Sequence, residues 1–348
     1  MANKPRHSAN IVLSAVLLLG SLAVSAILGE VILRALGYAG APESQIGNIR
    51  QVNDPTLNWR FIPNSRVQDG KVVLAYNSAG FRDHEHARQK QPGVTRVVVL
   101  GDSVTEGSGV EVDEIFSSRL QRGLGPRYEV INLGMSGLNT PQEVHVLEIE
   151  GLGYDPDVVI VNFVLNDCDF FSEFHAAKQF TQDKDARIGL LGDLSVDPRI
   201  KRLLKSSALI YFVKARLEHL VGMATGKGES NYYLRLWGEA YCHKRIVEGF
   251  EKLQELRIRN SFEVHVVIWP LLVDYQPYAF AEIHERVRRE AEQRGFKVLD
   301  LLDTFGPLSY RNLQVTAEDN VHPNGKGHRL AAERYAAWSR EQGAFTNR

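Results

Sequence analysis

Two distant parts of the chain carry side chains that together could perform nucleophilic chemistry. Gly101-Asp102-Ser103 places a serine hydroxyl in a short turn, and His322 lies three residues after Asp319 near the other end of the chain. A serine hydroxyl attacks a carbonyl only when a base takes its proton, and a histidine oriented by a carboxylate does this. We therefore predict Ser103 as the nucleophile, His322 as its general base and Asp319 as the orienting carboxylate.

Acyl transfer through such a serine also needs hydrogen-bond donors for the oxyanion of the tetrahedral intermediate. The candidates are the backbone N–H groups of Ser103 and Gly134 and the side-chain amide of Asn166. Glycine at position 134 allows close approach of the backbone because it has no Cβ. Each motif alone is common, since Gly-Asp-Ser also forms ordinary strand-end turns with a serine N-cap. Their order along the chain, each at the end of a predicted strand or in its loop, favours the catalytic interpretation.

The second serine in a glycine-flanked turn, Ser136, is a weaker candidate. Its context, residues 134–138, lacks the last glycine of the Gly-x-Ser-x-Gly nucleophile elbow. The residues after the first strand, 101–107, do not match a dinucleotide-binding Gly-x-Gly-x-x-Gly either.

Short β-branched runs alternate with helical stretches from residue 94 onward, which is typical of a parallel sheet covered on both faces. The predicted strands are 96–100, 128–132, 157–163, 263–269 and 297–302. The predicted helices are 115–124, 141–151, 234–257, 279–294 and 325–342. In the flavodoxin-like strand order 2-1-3-4-5, the ends of strands 2, 1 and 3 are neighbours at about 4.8 Å per step. Ser103 then lies between Gly134 and Asn166, and the loop 303–317 is long enough to return Asp319 and His322 to it.

Composition excludes several other classes of protein. The 348 residues include 41 Lys plus Arg and 42 Asp plus Glu, so a net charge of -1 offers no attraction for nucleic acid. Cys168 and Cys242 lack the spacing of a zinc site, and we predict two free thiols, with one disulfide as the alternative. The motif His84-Glu85-His86 is interpreted as a solvated face, and no cofactor is predicted.

The first part of the chain predicts a membrane anchor. Residues 11–33 are mostly apolar with Glu30 as their only charged residue, and this run is about as long as a membrane-spanning helix. Lys4 and Arg6 precede it, which favours a cytoplasmic N-terminus with the remainder outside the cytoplasm. A cleavable signal peptide is the alternative, because the small residues 24–26 resemble a cleavage site.

We predict three parts of the chain: a tip and signal anchor at 1–37, a stalk and lead-in with a strand at 71–76 over 38–92, and an α/β domain at 93–348. An insertion at about 171–233 interrupts the last part. Within it, residues 200–223 form a basic amphipathic helix by sequence pattern. That helix either packs on the domain or serves as a lid or a membrane contact.

These motifs together resemble one family, the SGNH or GDSL-type hydrolases, from about residue 96 to the C-terminus. Gly101-Asp102-Ser103 is similar to the family's first block, Gly134 to its oxyanion glycine, Asn166 to its third-block asparagine and Asp319-x-x-His322 to its last block. The resemblance implies a three-layer α/β/α sandwich and ester hydrolysis without a cofactor. Val164 stands where the third block often has a glycine, and we interpret it as an apolar wall of the pocket.

The lead-in 76–82 and the anchor resemble a membrane-anchored bacterial branch of this family, often associated with surface polysaccharides. The resemblance implies an extracytoplasmic serine esterase acting on an O-acyl or O-acetyl ester of a carbohydrate or lipid. Two alternatives remain: an O-acyltransferase with the same triad and a sugar hydroxyl as acceptor, and a non-catalytic carbohydrate-binding or assembly protein.

Overall fold

A computed structural model of the chain divides it into two compact units, residues 1–43 with 193–228 and residues 44–192 with 229–348. The structure describes the following residues: 5–38, 48–57, 59–70, 72–169, 207–210, 212–213, 216–217, 229–317 and 319–343.

The larger unit is built on a five-stranded parallel sheet. In chain order, the strands of this unit are β1 (Ile49–Gln51), β2 (Trp59–Phe61), β3 (Arg66–Asp69), β4 (Val72–Ala75), β5 (Thr95–Gly101), β6 (Tyr128–Asn132), β7 (Val158–Phe163), β8 (Glu263–Ile268) and β9 (Lys297–Asp300). The central sheet has the order β6-β5-β7-β8-β9, and all of its neighbours are parallel. This confirms the predicted order 2-1-3-4-5, and each predicted strand is found to within one or two residues at either end.

Helices cover both faces of this sheet. The described helices of the chain are α1 (Pro5–Ala35), α2 (Ser103–Glu106), α3 (Phe116–Leu124), α4 (Thr140–Ile149), α5 (Glu229–Gly238), α6 (Ala240–Asn260), α7 (Ala281–Gln293), α8 (Leu302–Phe305) and α9 (Gly325–Glu341). α3 packs with α9, and α4 packs with α6. Every residue of β7 is buried, as expected for a central strand with a helical layer on each face. The predicted flavodoxin-like sandwich is confirmed.

One predicted helix, 234–257, consists of two helices in the structure. The chain breaks between α5 and α6 at Glu239, whose φ of -81° and ψ of 132° are extended rather than helical. Gly238, the last residue of α5, has low helix propensity and favours an end at this point.

The segment before the sheet contributes to the core of the larger unit. β1 pairs with β2 and β3 pairs with β4, both antiparallel, so the strand predicted at 71–76 is one half of a hairpin. Trp59, Phe61, Leu74, Tyr76 and Phe81 are buried in the same cluster as the central strands. These five side chains therefore pack in one core with the sheet, and the domain boundary near residue 92 stays a prediction.

The expectation of a solvated face at residues 84–86 is wrong for His86. Its side chain is only 11% exposed and lies between Asp83 Oδ2 at 3.0 Å and Glu129 Oε1 at 2.9 Å. Burial opposes a charge on this imidazole, but the two carboxylates outweigh burial and raise the pKa of His86.

The prediction that the two cysteines are free thiols is wrong, and the alternative of one disulfide is found. Cys168 and Cys242 form a disulfide, which joins the segment after β7 to the first turn of α6. The bond therefore ties together the two ends of the insertion.

The smaller unit contains α1, whose window Val16–Ala35 has a mean hydropathy of 2.3 and is 6% buried. It is the one described helix that is long and apolar enough to cross a membrane, and a signal sequence near an N-terminus has the same properties. The predicted helix 200–223 lies mostly outside the described residues, of which 208–210, 212–213 and 216–217 are helical.

Candidate active site

Ser103 begins α2, directly after the tight turn that follows β5. The φ of Gly101 is 152°, and a Cβ there would lie 2.1 Å from Thr105 Oγ1, so the turn requires glycine. The Asp102 side chain caps α2 by accepting from the N–H of Val104 at 2.9 Å. Ser103 is thus the first residue of the helix and not its N-cap, so its hydroxyl is not used for capping.

A chain of hydrogen bonds connects Ser103 with the loop before α9. The Ser103 hydroxyl donates to His322 Nε2 at 2.8 Å, and His322 Nδ1 donates to Asp319 Oδ2 at 2.9 Å. Asp319 Oδ1 also accepts from the backbone N–H of His322 at 2.9 Å, which closes a tight turn. This geometry fixes the imidazole tautomer and directs its unprotonated nitrogen at the serine.

Backbone pairing holds the loop that carries His322. Val315 N–H donates to the carbonyl of His322 at 3.0 Å, and Asn324 N–H donates to the carbonyl of Leu313 at 2.7 Å. Asn324 then caps α9 by accepting from the N–H groups of its first turn. The loop is therefore a fixed support, as catalytic positioning requires.

Asn166 lies beside the serine, at the end of β7. Its Nδ2 donates to Asp102 Oδ2 at 2.7 Å, and the same oxygen lies 3.3 Å from Ser103 Oγ. An amide nitrogen carries two hydrogens, so one remains for another acceptor. Val164 is only 1% exposed and belongs to the core, so the expectation that it lines a pocket wall is wrong.

Gly134 does not offer its N–H to the site as predicted. That N–H donates to Asn132 Oδ1 at 2.9 Å, which uses the group in a turn of its own strand end. A Cβ at position 134 would lie 2.5 Å from the backbone nitrogen of Glu106. Glycine is needed here because the turn packs directly on the helix of the nucleophile.

The next glycine in the same turn, Gly137, differs from Gly134 in its backbone N–H. The turn begins where Met135 N–H donates to the carbonyl of Gly101 at 3.0 Å, one residue before Asp102. Gly137 has a φ of 78°, which favours glycine, and its N–H has no acceptor among the described residues. The backbone N–H of Ser103 likewise has no acceptor in the described part of the chain.

Sequence reasoning missed Glu106, whose carboxylate binds the turn that contains Ser136 and Gly137. Glu106 is completely buried and accepts from the Tyr76 hydroxyl and from both the N–H and the hydroxyl of Ser136. Arg82, which is also buried, donates to the carbonyls of Gly107 and Glu106. Burial raises the pKa of Glu106 above its ordinary value, although these bonds oppose the shift. The signal available in the sequence was that Glu106 is an acid three residues after the predicted nucleophile.

Two further buried acids lie under the site. Glu143 and Asp167 are at most 1% exposed, and neither oxygen of the Glu143 carboxyl has a hydrogen-bond partner among the described residues. Burial and the nearby Asp102 raise the pKa of Glu143. Burial, Glu143 and Asp102 raise the pKa of Asp167. Both shifts favour the uncharged acids. The described residues contain no group of three or more His, Cys, Asp or Glu side chains that could hold a metal ion.

The charge state of the histidine follows from its carboxylate. Burial works against the imidazolium, but the hydrogen bond and charge of Asp319 outweigh it and raise the pKa of His322 above 6.5. Burial also disfavours the ionised Asp319, but its bonds with His322 and with backbone N–H groups lower its pKa. The pair therefore favours an ionised aspartate and a basic imidazole.

This shift predicts the pH dependence of ester hydrolysis. His322 must be neutral to accept the serine proton, so activity should be lost as the pH falls through its raised pKa. We expect the acid limb of kcat/KM to have its midpoint above pH 6.5, the ordinary value of this group. Asp319→Asn removes the charge that raises the pKa, so the midpoint should move to lower pH in a pH profile of the residual activity. A midpoint that is unchanged or higher in Asp319→Asn would contradict this explanation.

A serine, a histidine and a carboxylate joined at the strand ends of an α/β/α sandwich are the arrangement of a serine-dependent hydrolase. A model of the GDSL-like Lipase/Acylhydrolase family matches residues 99–330, which is more than half of the chain. The chain belongs to this family and is an ester-hydrolysing enzyme.

Solved structures with a similar fold share little sequence with the chain. An acetyl xylan esterase, AlAXEase, has 15% identity, a TM-score of 0.39 and coverage of 70% of this chain and 98% of its own. LAE5, an alpha/beta hydrolase from the metagenome of Lake Arreo, Spain, has 16% identity, a TM-score of 0.43 and coverage of 70% and 94%. A two-domain esterase active on acetylated mannans has 13% identity, a TM-score of 0.41 and coverage of 73% and 51%. No curated protein sequence matches the chain.

Proposed function

We propose that this enzyme cleaves a carboxylic ester through an acyl-enzyme on Ser103. The observation that carries the proposal is the Ser103–His322–Asp319 chain, with distances of 2.8 and 2.9 Å. His322 takes the serine proton as Ser103 Oγ attacks the carbonyl carbon, and then gives that proton to the departing alcohol. Water next attacks the acyl-enzyme with His322 again as base, which releases the carboxylic acid and restores the serine.

The oxyanion of both tetrahedral intermediates needs donors near Ser103. We assign them to the backbone N–H of Ser103, the second hydrogen of the Asn166 amide and the backbone N–H of Gly137. Gly137 replaces the predicted Gly134 because Asn132 already accepts the Gly134 N–H. Asp102 supports this assignment, since its carboxylate both caps the helix of Ser103 and accepts from Asn166.

The proposed substrate is an O-acyl or O-acetyl ester of a cell-surface carbohydrate or lipid. The support is the resemblance of the lead-in 76–82 and the N-terminal helix to the membrane-anchored branch of the family. Acyl transfer to a sugar hydroxyl uses the same residues and differs only in the acceptor that attacks the acyl-enzyme.

Hydrolysis and transfer are separated by following both products of one reaction. The full chain in detergent is expected to release p-nitrophenol and acetate in equal amounts from p-nitrophenyl acetate without any sugar, because water serves as the acceptor. An added oligosaccharide should leave the rate unchanged, and the Ser103→Ala variant gives the background. Release that depends on the oligosaccharide, with acetylated sugar found by mass spectrometry, would identify an acyltransferase instead.

We also propose that the hydrolase unit lies outside the cytoplasm, with α1 as an uncleaved anchor. Lys4 and Arg6 precede the apolar span and favour a cytoplasmic N-terminus. The Cys168–Cys242 disulfide supports the same side, because disulfides persist in oxidising compartments and are rare in the cytosol. Cleavage of the span as a signal peptide remains the alternative.

A further inference from the structure

The one charged side chain within the apolar span, Glu30, is satisfied by the insertion. Its carboxylate accepts from the backbone N–H groups of Ala208 at 3.0 Å and Leu209 at 2.9 Å and from the Ser207 hydroxyl at 2.8 Å. Arg34 donates to it as well, at 2.7 Å. A carboxylate in an apolar span needs such partners, and the first N–H groups of a helical turn need an acceptor. The insertion therefore supplies hydrogen-bond donors to Glu30, and Glu30 supplies an acceptor to the N–H groups of the insertion.

Two further contacts place the same segment beside the end of α1. A Cβ at Gly29 would lie 3.3 Å from Leu209 Cδ1, so the absence of a side chain lets Leu209 approach. The rings of Tyr38 and Phe212 meet edge to face, with centroids 5.2 Å apart. Residues 207–210 and 212 thus lie along residues 29–38, where the apolar span ends.

The opposite side of this helical segment is apolar and uncovered. Ile210, Val213 and Leu217 recur at the spacing i, i+3 and i+7, which places them on one face of a helix. They are 43%, 46% and 56% exposed, whereas Ala208 is fully buried. On α1, Leu28, Val31 and Ile32 are 56–58% exposed. The two apolar surfaces belong to the same compact unit.

We propose that the segment carrying Ile210, Val213 and Leu217 binds the bilayer beside the anchor, with these three side chains among the lipid chains near the headgroups. The observation that selects a lipid occupant is the contact of this segment with the end of the apolar span, at Glu30 and Gly29. An amphipathic helix with its apolar face at the headgroup boundary is a stable membrane contact. The proposal rests on the proposed membrane anchor, and it makes the insertion a second membrane contact of the enzyme.

A depth-sensitive probe tests this in the full chain reconstituted into phosphatidylcholine vesicles. Val213→Cys is labelled with the fluorophore NBD, and vesicles with and without spin-labelled phosphatidylcholine are compared. Leu22→Cys reports on the anchor, and Ile258→Cys, on α6 and 71% exposed, is the control on the hydrolase unit. Cys168 and Cys242 are bonded to each other, so only the introduced thiol reacts.

We expect several-fold stronger quenching at positions 213 and 22 than at 258, with a spin label near the headgroup acting best at 213. Quenching at 22 without quenching at 213 would overturn the bilayer contact and leave the anchor intact. No quenching at either position would overturn both. Ester hydrolysis by each labelled variant shows that the hydrolase unit is folded. A failure of the proposed esterase activity is therefore measured separately from a failure of the bilayer contact.

The Glu30 contact gives a second arm of the same experiment. Glu30→Ala removes the acceptor for Ala208 and Leu209, so quenching at 213 should fall while quenching at 22 persists. Unchanged quenching at 213 would contradict the role of Glu30 in holding the segment.

Discussion

Ser103→Ala and His322→Ala are each expected to lower kcat for p-nitrophenyl acetate by about 10⁴ to 10⁶-fold, with little further loss in the double variant. The reason is that the serine nucleophile and its base form one unit, joined by the 2.8 Å bond between Ser103 Oγ and His322 Nε2. Without either group the other performs no chemistry, so the two losses cannot add. Steady-state kinetics on the three variants measures this, with purified parent protein as reference.

Ser136→Ala is the matched control for this result. Ser136 is the other serine in a glycine-flanked turn, and its hydroxyl donates to Glu106 rather than to His322. The Ser136 N–H and the Tyr76 hydroxyl still donate to Glu106 after the change. Most activity should therefore remain. A loss at Ser136 equal to that at Ser103, or losses at Ser103 and His322 that multiply, would contradict the assignment.

Asn166→Ala should lower kcat by about 10² to 10³-fold, or about 3 to 4 kcal/mol, because it removes one oxyanion donor. The bond between Ser103 and His322 does not involve Asn166, so the serine should still react with a fluorophosphonate probe, more slowly than in the parent. Initial rates and probe labelling on the same preparation separate the two effects. A loss below about tenfold in kcat would exclude Asn166 from the oxyanion site.

The sheet could be predicted because its signal is local in the sequence. The buried β-branched runs of β5 and β7 and the helices between strands specify a parallel sheet, and its order fixes which strand ends are neighbours. That order was sufficient to bring Ser103 and Asn166 together, since both directly follow adjacent strands. The Ser103 hydroxyl donates to His322 Nε2, and the sequence analysis predicted these two residues as nucleophile and base.

The sequence could not distinguish Gly134 from Gly137 as a backbone donor, because that choice depends on side-chain pairing. Gly134 and Gly137 lie in one turn, and only the structure shows that Asn132 accepts the N–H of Gly134. The asparagine two residues before Gly134 was a visible signal, since asparagine side chains often bond to a backbone group two positions on.

Other features depend on contacts between distant segments, which periodicity does not report. Glu106 is part of the site because Tyr76 and Ser136, both about 30 residues away, donate to it. The pairing of Cys168 with Cys242 joins residues separated by 74 positions. For Glu30, the sequence gives an acid near the end of an apolar span, and its partners lie about 180 residues later.

The most direct test of the central claim is to find which residue carries the acyl group. The purified chain is treated with a fluorophosphonate probe, digested and mapped by mass spectrometry. We expect one modified residue, Ser103, with labelling abolished in Ser103→Ala and retained in Ser136→Ala. Labelling that survives Ser103→Ala, or that maps to Ser136, would contradict the proposed mechanism.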